Sequence, residues 1–153
     1  MISKYQGGET LADYRIARRN KRKAAKMTIQ KELRARDGIG CRWPGCEFWR
    51  KGYRVEAAHL DASGMGGDPS LIRTQRQKLI RICYPHHQGV CSLHSGDLRI
   101  VPVFEARGTD GPCSFERRDP KAKDGWAVEG VEDEFTFSTR ANPAALDEDG
   151  DDE

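Results

Sequence analysis

Long apolar runs are missing from this chain. Nowhere does hydrophobic sequence approach the ~20 residues that a bilayer-crossing helix needs, and the first residues lack the apolar stretch of a secretory signal. The expectation is a soluble, unexported protein of the cytoplasm, with no membrane partner. Apolar residues are scarce overall, at 37% of 153 positions against 33% charged, which predicts one small domain with polar ends and excludes an extensive core. Something besides burial has to hold such a fold. Acidic residues are almost absent from one region: between Arg15 and Arg36 ten cations face the single acid Glu32, although the net charge of the chain is only +2. The balancing acids lie at the far end, in Asp147-Glu148-Asp149-Gly150-Asp151-Asp152-Glu153. One end attracts polyanions and the other repels them.

Cysteines are an odd five, and their placement favours metal ligation in a reducing compartment over a disulfide framework. Four of the five, with all four histidines, fall between Cys41 and His94. Cys41 and Cys46 bracket the tight turn Arg42-Trp43-Pro44-Gly45, and Cys83 with His86 offers a second pair three residues apart. Four such N/S ligands make a closed tetrahedral zinc site, so a structural Zn2+ is expected on Cys41, Cys46, Cys83 and His86. His59 and His87 are left without a structural task, and spare histidines beside a metal staple point to chemistry. Trp43, Phe48, Trp49 and Tyr53 are close enough in sequence to shield one side of the metal.

Read in order, residues 1–36 form a basic helical arm. Thr10 caps a helix from about Leu11 to Ala35, and Asp13 in the first turn suits its dipole. The apolar stripe is weak, so the stretch from Arg18 to Lys26 is expected to order on contact with nucleic acid, and Arg15, Arg18, Arg19, Lys21, Arg22, Lys23 and Lys26 are the phosphate-binding candidates. A solvated helical face is the plainer reading of the same run. Residues 37–104 are the metal-bearing core: a strand over Tyr53–Leu60, a glycine-rich loop from Ala62 to Pro69, a strand over Leu79–Cys83 and a short helix opened by Pro85 and ended near Gly89. A strand over Asp97–Phe104 and weaker ones at Ser114–Arg117 and Trp126–Val131 form a small accessory sheet, with 105–141 as an accessory segment and 142–153 as a disordered acidic tail.

Taken together, Cys41-x4-Cys46, Ala58-His59-Leu60, the glycine loop and Leu79-Ile80-x-Ile82-Cys83-x2-His86-His87 resemble the HNH endonuclease family over roughly residues 36–100. The likeness is to its zinc-stapled members, common in bacteriophage and bacterial genomes. It implies an α+β fold with a treble-clef-like ββα-metal core, in which His59 is the general base and His87 a ligand of a catalytic Mg2+ or other divalent metal. DNA is the implied partner and phosphodiester hydrolysis the implied reaction, in a phage or mobile-element setting. The chain departs from the family in two places. Ala58 stands where many members carry an Asp or His ligand, and Lys78 stands where they carry the middle Asn, which makes Lys78 a further DNA-binding candidate. The second catalytic-metal ligand then has to come from elsewhere. His94 is the first candidate, with Cys91 and Asp61 behind it, against a reading in which His94 serves only the Ser95-Gly96-Asp97 turn. The alternative function is a catalytically weakened, zinc-containing DNA-binding module.

Overall fold

A computed structural model describes residues 10–60 and 75–140. The glycine-rich loop, Asp61 and the acidic tail lie outside the described residues. Thr10 starts the first helix, α1 (Leu11–Asp37), through a reciprocal cap: the Asp13 amide donates to Thr10 Oγ1 at 3.2 Å and the Thr10 amide to Asp13 Oδ2 at 2.9 Å. The helix runs unbroken through Arg18–Lys26, where ordering only on contact was expected. Its Arg, Lys, Ala, Met and Gln residues are strong helix formers, and they hold the conformation on a largely exposed rod.

Two antiparallel sheets follow. β1 (Val55–His59) pairs with β2 (Leu79–Cys83), and α2 (Tyr84–Gln88) leaves β2 directly with Pro85 in its first turn. The second sheet has the order β3 (Leu98–Pro102), β4 (Cys113–Arg118), β5 (Trp126–Val131). β3 lies within the stretch assigned by sequence to the metal-bearing core, yet it pairs with β4 of the accessory segment. The two sheets share one core, in which Ala58, Ile80 and Ile82 of the hairpin meet Leu98, Ile100 and Phe115, with Trp43 edge-on to Phe115. A last short helix, α3 (Glu134–Thr139), starts where the Asp133 carboxylate accepts from the Thr136 amide at 2.6 Å.

Only the C-terminal turns of α1 are buried, through Leu33 and Asp37. Arg36 clamps this end by donating to the carbonyls of Arg76 and Leu79 and to the Asp110 carboxylate. Behind it lies a buried charge network. Arg42 reaches Asp37 at 3.2 Å and Glu132 at 2.8 Å and donates to the Thr109 and Gly111 carbonyls, while Arg140 closes on Glu132. Burial opposes the Arg42 charge, but Glu132 and Asp37 outweigh it and raise its pKa. Gly108 lets the 3-10 segment Glu105–Asp110 pack against an earlier one, Arg76–Lys78: with φ of 54°, an added Cβ would stand 2.3 Å from the Gln77 carbonyl oxygen.

Candidate metal centre and basic groove

The turn after α1 and the end of the hairpin bring four ligand atoms together. Cys41, Cys46, Cys83 and His86 each offer one atom, all within 4.8 Å of one another. The edges fit a zinc tetrahedron: bonds of ~2.3 Å give ligand separations of about 3.8 Å. Cys46 and Cys83 Sγ stand 3.6 Å apart, and His86 Nδ1 lies 3.5 Å from Cys41 Sγ and 3.1 Å from Cys83 Sγ. All the cysteines are free thiols, so the 3.6 Å pair is not a disulfide. The Arg42 amide donates to the Arg81 carbonyl at 2.9 Å, fixing the knuckle to β2, and the Cys83 amide donates to Cys41 Sγ at 3.2 Å. Pro85 opens α2 so that His86 turns inward, nearly buried.

The electrostatics call for a cation. Burial pushes the Cys41 thiol far up and also raises Cys83, so these two thiolates are tolerated here only beside a positive ion. Burial, helped by the charge of Arg117, lowers His86 to about 4, which leaves a neutral imidazole ready to ligate. The aromatic shield expected from sequence is present. Trp43 stacks on His86 with centroids 5.0 Å apart, Phe48 meets the same ring edge-on, and Tyr53 meets Phe48 edge-on. Glu129 holds the indole by accepting from Trp43 Nε1 at 2.9 Å. A Cys3His group that can hold a metal such as zinc is therefore part of the fold.

His87 turns the other way, as adjacent helical positions must. Its Nδ1 lies 2.7 Å from Glu56 Oε2, Gln88 donates to the same carboxylate, and Arg54 pairs with Glu56 at 2.5 Å. The His94 ring stacks parallel to His87 with centroids 6.2 Å apart, and the His94 amide donates to the His87 carbonyl. The turn beyond is closed by Ser92, Ser95 and Asp97. Among the described residues, Glu56, His87 and His94 do not close into a second compact ligand group. Cys91 is exposed.

His59 ends β1, half-buried and opposite Leu79. Strand alternation separates it from Ala58, which has no exposed surface and packs in the core with Ile80. Glu56 shares the Ala58 face, whereas His59 shares the other face with Ala57, Leu79 and Arg81. Three residues of strand, about 10 Å, separate the Glu56 and His59 backbones along β1. Lys78 ties the hairpin through its backbone, where its carbonyl accepts from the Leu60 amide at 3.0 Å.

That second face borders a basic groove of about 1010 Å³ along α1. Of the sequence candidates, Arg15, Arg18, Arg19, Arg22, Lys23 and Lys26 line it, and Lys21 and Lys78 do not. Lys31, Arg34 and Arg81 join them, with Met27 and Gln30, and no acidic side chain among the described residues is part of the wall. Arg81 was missed by sequence reasoning, although its place between buried Ile80 and Ile82 marks it as facing away from the core. Glu56 was missed too; its even spacing from Ala58 on a strand was the available signal. No protein-family model, curated protein or solved structure matches this chain.

Proposed function

We propose that the protein is a metal-dependent HNH endonuclease that hydrolyses phosphodiester bonds in DNA, by nicking or double-strand cleavage. The observation that supports it is the succession β1, β2, α2 around a Cys3His cluster, with one histidine ending β1 and another on α2 left outside that cluster. Cys41, Cys46, Cys83 and His86 are the structural zinc ligands in this reading, and the unit is the ββα-metal fold of that family. His59 accepts the proton of an attacking water. His87 donates its Nδ1 proton to Glu56, which fixes the ring and leaves Nε2 for a divalent ion, with His94 beside it. Such an ion, Mg2+, Mn2+ or a relative, would supply Lewis acidity at the phosphoryl oxygen and at the leaving oxygen. The groove cations bind flanking phosphates and keep the DNA against the His59 face of the hairpin.

Two observations favour a second reading, a zinc-containing DNA-binding module without activity: buried Ala58 offers no ligand where the family often has one, and His59 leaves β1 on the face opposite Glu56, the partner of His87. Supercoiled plasmid incubated with Mg2+, Mn2+, Ni2+ or Zn2+ separates the two. On the nuclease reading His59→Ala lowers nicking by about 10²–10⁴-fold and His87→Ala abolishes it, each with zinc content and melting temperature unchanged. Wild-type protein that shifts the plasmid and never nicks it assigns the binding module instead.

Replacing Arg15, Arg18 and Arg19 together with glutamine tests the groove. Each lost phosphate contact lowers the slope of log K against log salt by roughly one, so the triple variant should lose about 2–3 units of slope while binding every sequence more weakly. An unchanged slope returns this stretch of α1 to a solvated face.

A further inference from the structure

We infer that Arg34 of α1 and Arg81 of β2 form a phosphate subsite that grips one phosphodiester of a nucleic-acid backbone where the helix meets the hairpin. The inference rests on the nucleic-acid reading above and assigns it two residues outside the basic run's obvious candidates.

Both guanidinium groups line the groove, and in both the Nε atom is buried with no hydrogen-bond partner. Buried donors of this kind are nearly always satisfied in folded proteins. The two groups also lie close enough for the charge of Arg34 to act unfavourably on that of Arg81. Asp37 offsets the burden on Arg81 only in part. Asp37 already accepts from Arg36 Nε at 2.6 Å, from Arg42 at 3.2 Å and from the Arg81 backbone amide at 3.0 Å. Two adjacent like charges with unused donors, and no described carboxylate in the wall, are complementary to an anion from outside. Planar guanidinium forks suit phosphate oxygens above other anions.

A third buried, unpartnered Nε belongs to Arg22 on the same groove. It lies twelve helical residues from Arg34, about 18 Å along the axis, so one free phosphate cannot serve both. A polymer of phosphates can. Arg81 also shares the hairpin face of His59, so a phosphate held there enters beside the proposed base.

The experiment compares melting of the full chain in sodium phosphate and in sodium chloride at equal ionic strength, for wild type and for Arg34→Gln, Arg81→Gln and Lys21→Gln. Wild type and Lys21→Gln should melt higher in phosphate, and the two arginine variants should not. Without phosphate the arginine variants should melt no lower than wild type, since each substitution removes a repulsion. With a short DNA duplex each arginine variant should bind at least about tenfold more weakly, and the double variant little worse than either, because both residues hold one phosphate. A phosphate response retained in Arg34→Gln and Arg81→Gln overturns the subsite. So does a loss of DNA affinity no greater than that of Lys21→Gln. Neither readout needs cleavage, so a failed nuclease assay leaves the subsite standing, and cleavage with an unmoved phosphate response removes the subsite alone.

Discussion

Cys83→Ser should strip the metal and unfold the protein. Cys83 is fully buried, its sulfur neighbours Cys46 and His86, and it belongs at once to the last position of β2 and to the shared core. Structural zinc sites in small peptides contribute about 10–16 kcal/mol of apparent binding energy, and a small domain has a net stability of only about 5–15 kcal/mol. Losing one of four ligands therefore removes more than such a domain can spare. Purified wild type should hold about one zinc per chain, the number a closed four-ligand site takes, and a strong chelator should convert it to the behaviour of the serine variant. Metal uptake should release protons, because burial keeps the Cys41 and Cys83 thiols protonated until the ion arrives. Exposed Cys91 supplies the control, since Cys91→Ser should alter neither metal content nor melting. Unchanged zinc and an unchanged melting curve in Cys83→Ser would mean that these four residues hold no structural metal.

Arg42→Ala should be the most damaging change that leaves every metal ligand in place. Its side chain is wholly buried and neutralises two buried carboxylates, Asp37 with no exposed side-chain surface and Glu132 with 3%. It also satisfies the Thr109 and Gly111 carbonyls and lies over the Phe137 ring. Removing one member of such a network strands the remaining charges, at a cost of about 3–5 kcal/mol. A urea titration should show the midpoint falling accordingly. Arg107→Ala, which breaks an exposed pair with Glu134, should cost under about 1 kcal/mol. Arg42→Ala with the midpoint of wild type would mean that Glu132 and Asp37 find other partners.

Sequence reasoning reached furthest where spacing is chemistry. The Cys41-x4-Cys46 knuckle and the Cys83-x2-His86 pair name their own geometry, and β2 and the proline-started α2 follow from alternation and from φ preference. α1 was legible from its cap, two residues short at the far end. The Glu56–His87 pair was not legible, because it joins positions 31 residues apart whose meeting depends on hairpin register. Arg81 was hidden for the same reason: a cation in a strand reads as solvent-facing until the packing of α1 across that face is known. The Arg42 network escaped because it needs Asp37 and Glu132, 95 residues apart, on either side of one guanidinium. α3 carries no strong apolar pattern and is announced only by its Asp133 cap.

The hairpin has a further consequence for how the chain finds its shape. β1 and β2 are neighbours in space but pair across a connection that begins at Leu60 and ends at Lys78, far longer than the tight turns that let hairpins form early. Closing that gap costs entropy before any ladder bond repays it. A metal ion taken first by Cys83 and His86, which are local to each other, and then by Cys41 and Cys46 would tether the two halves at the point where Val55 must meet Cys83. The same ion that stabilises the finished fold would then set the order of assembly, bringing distant sequence together before the strands engage and shortening the search through slow, non-local contacts.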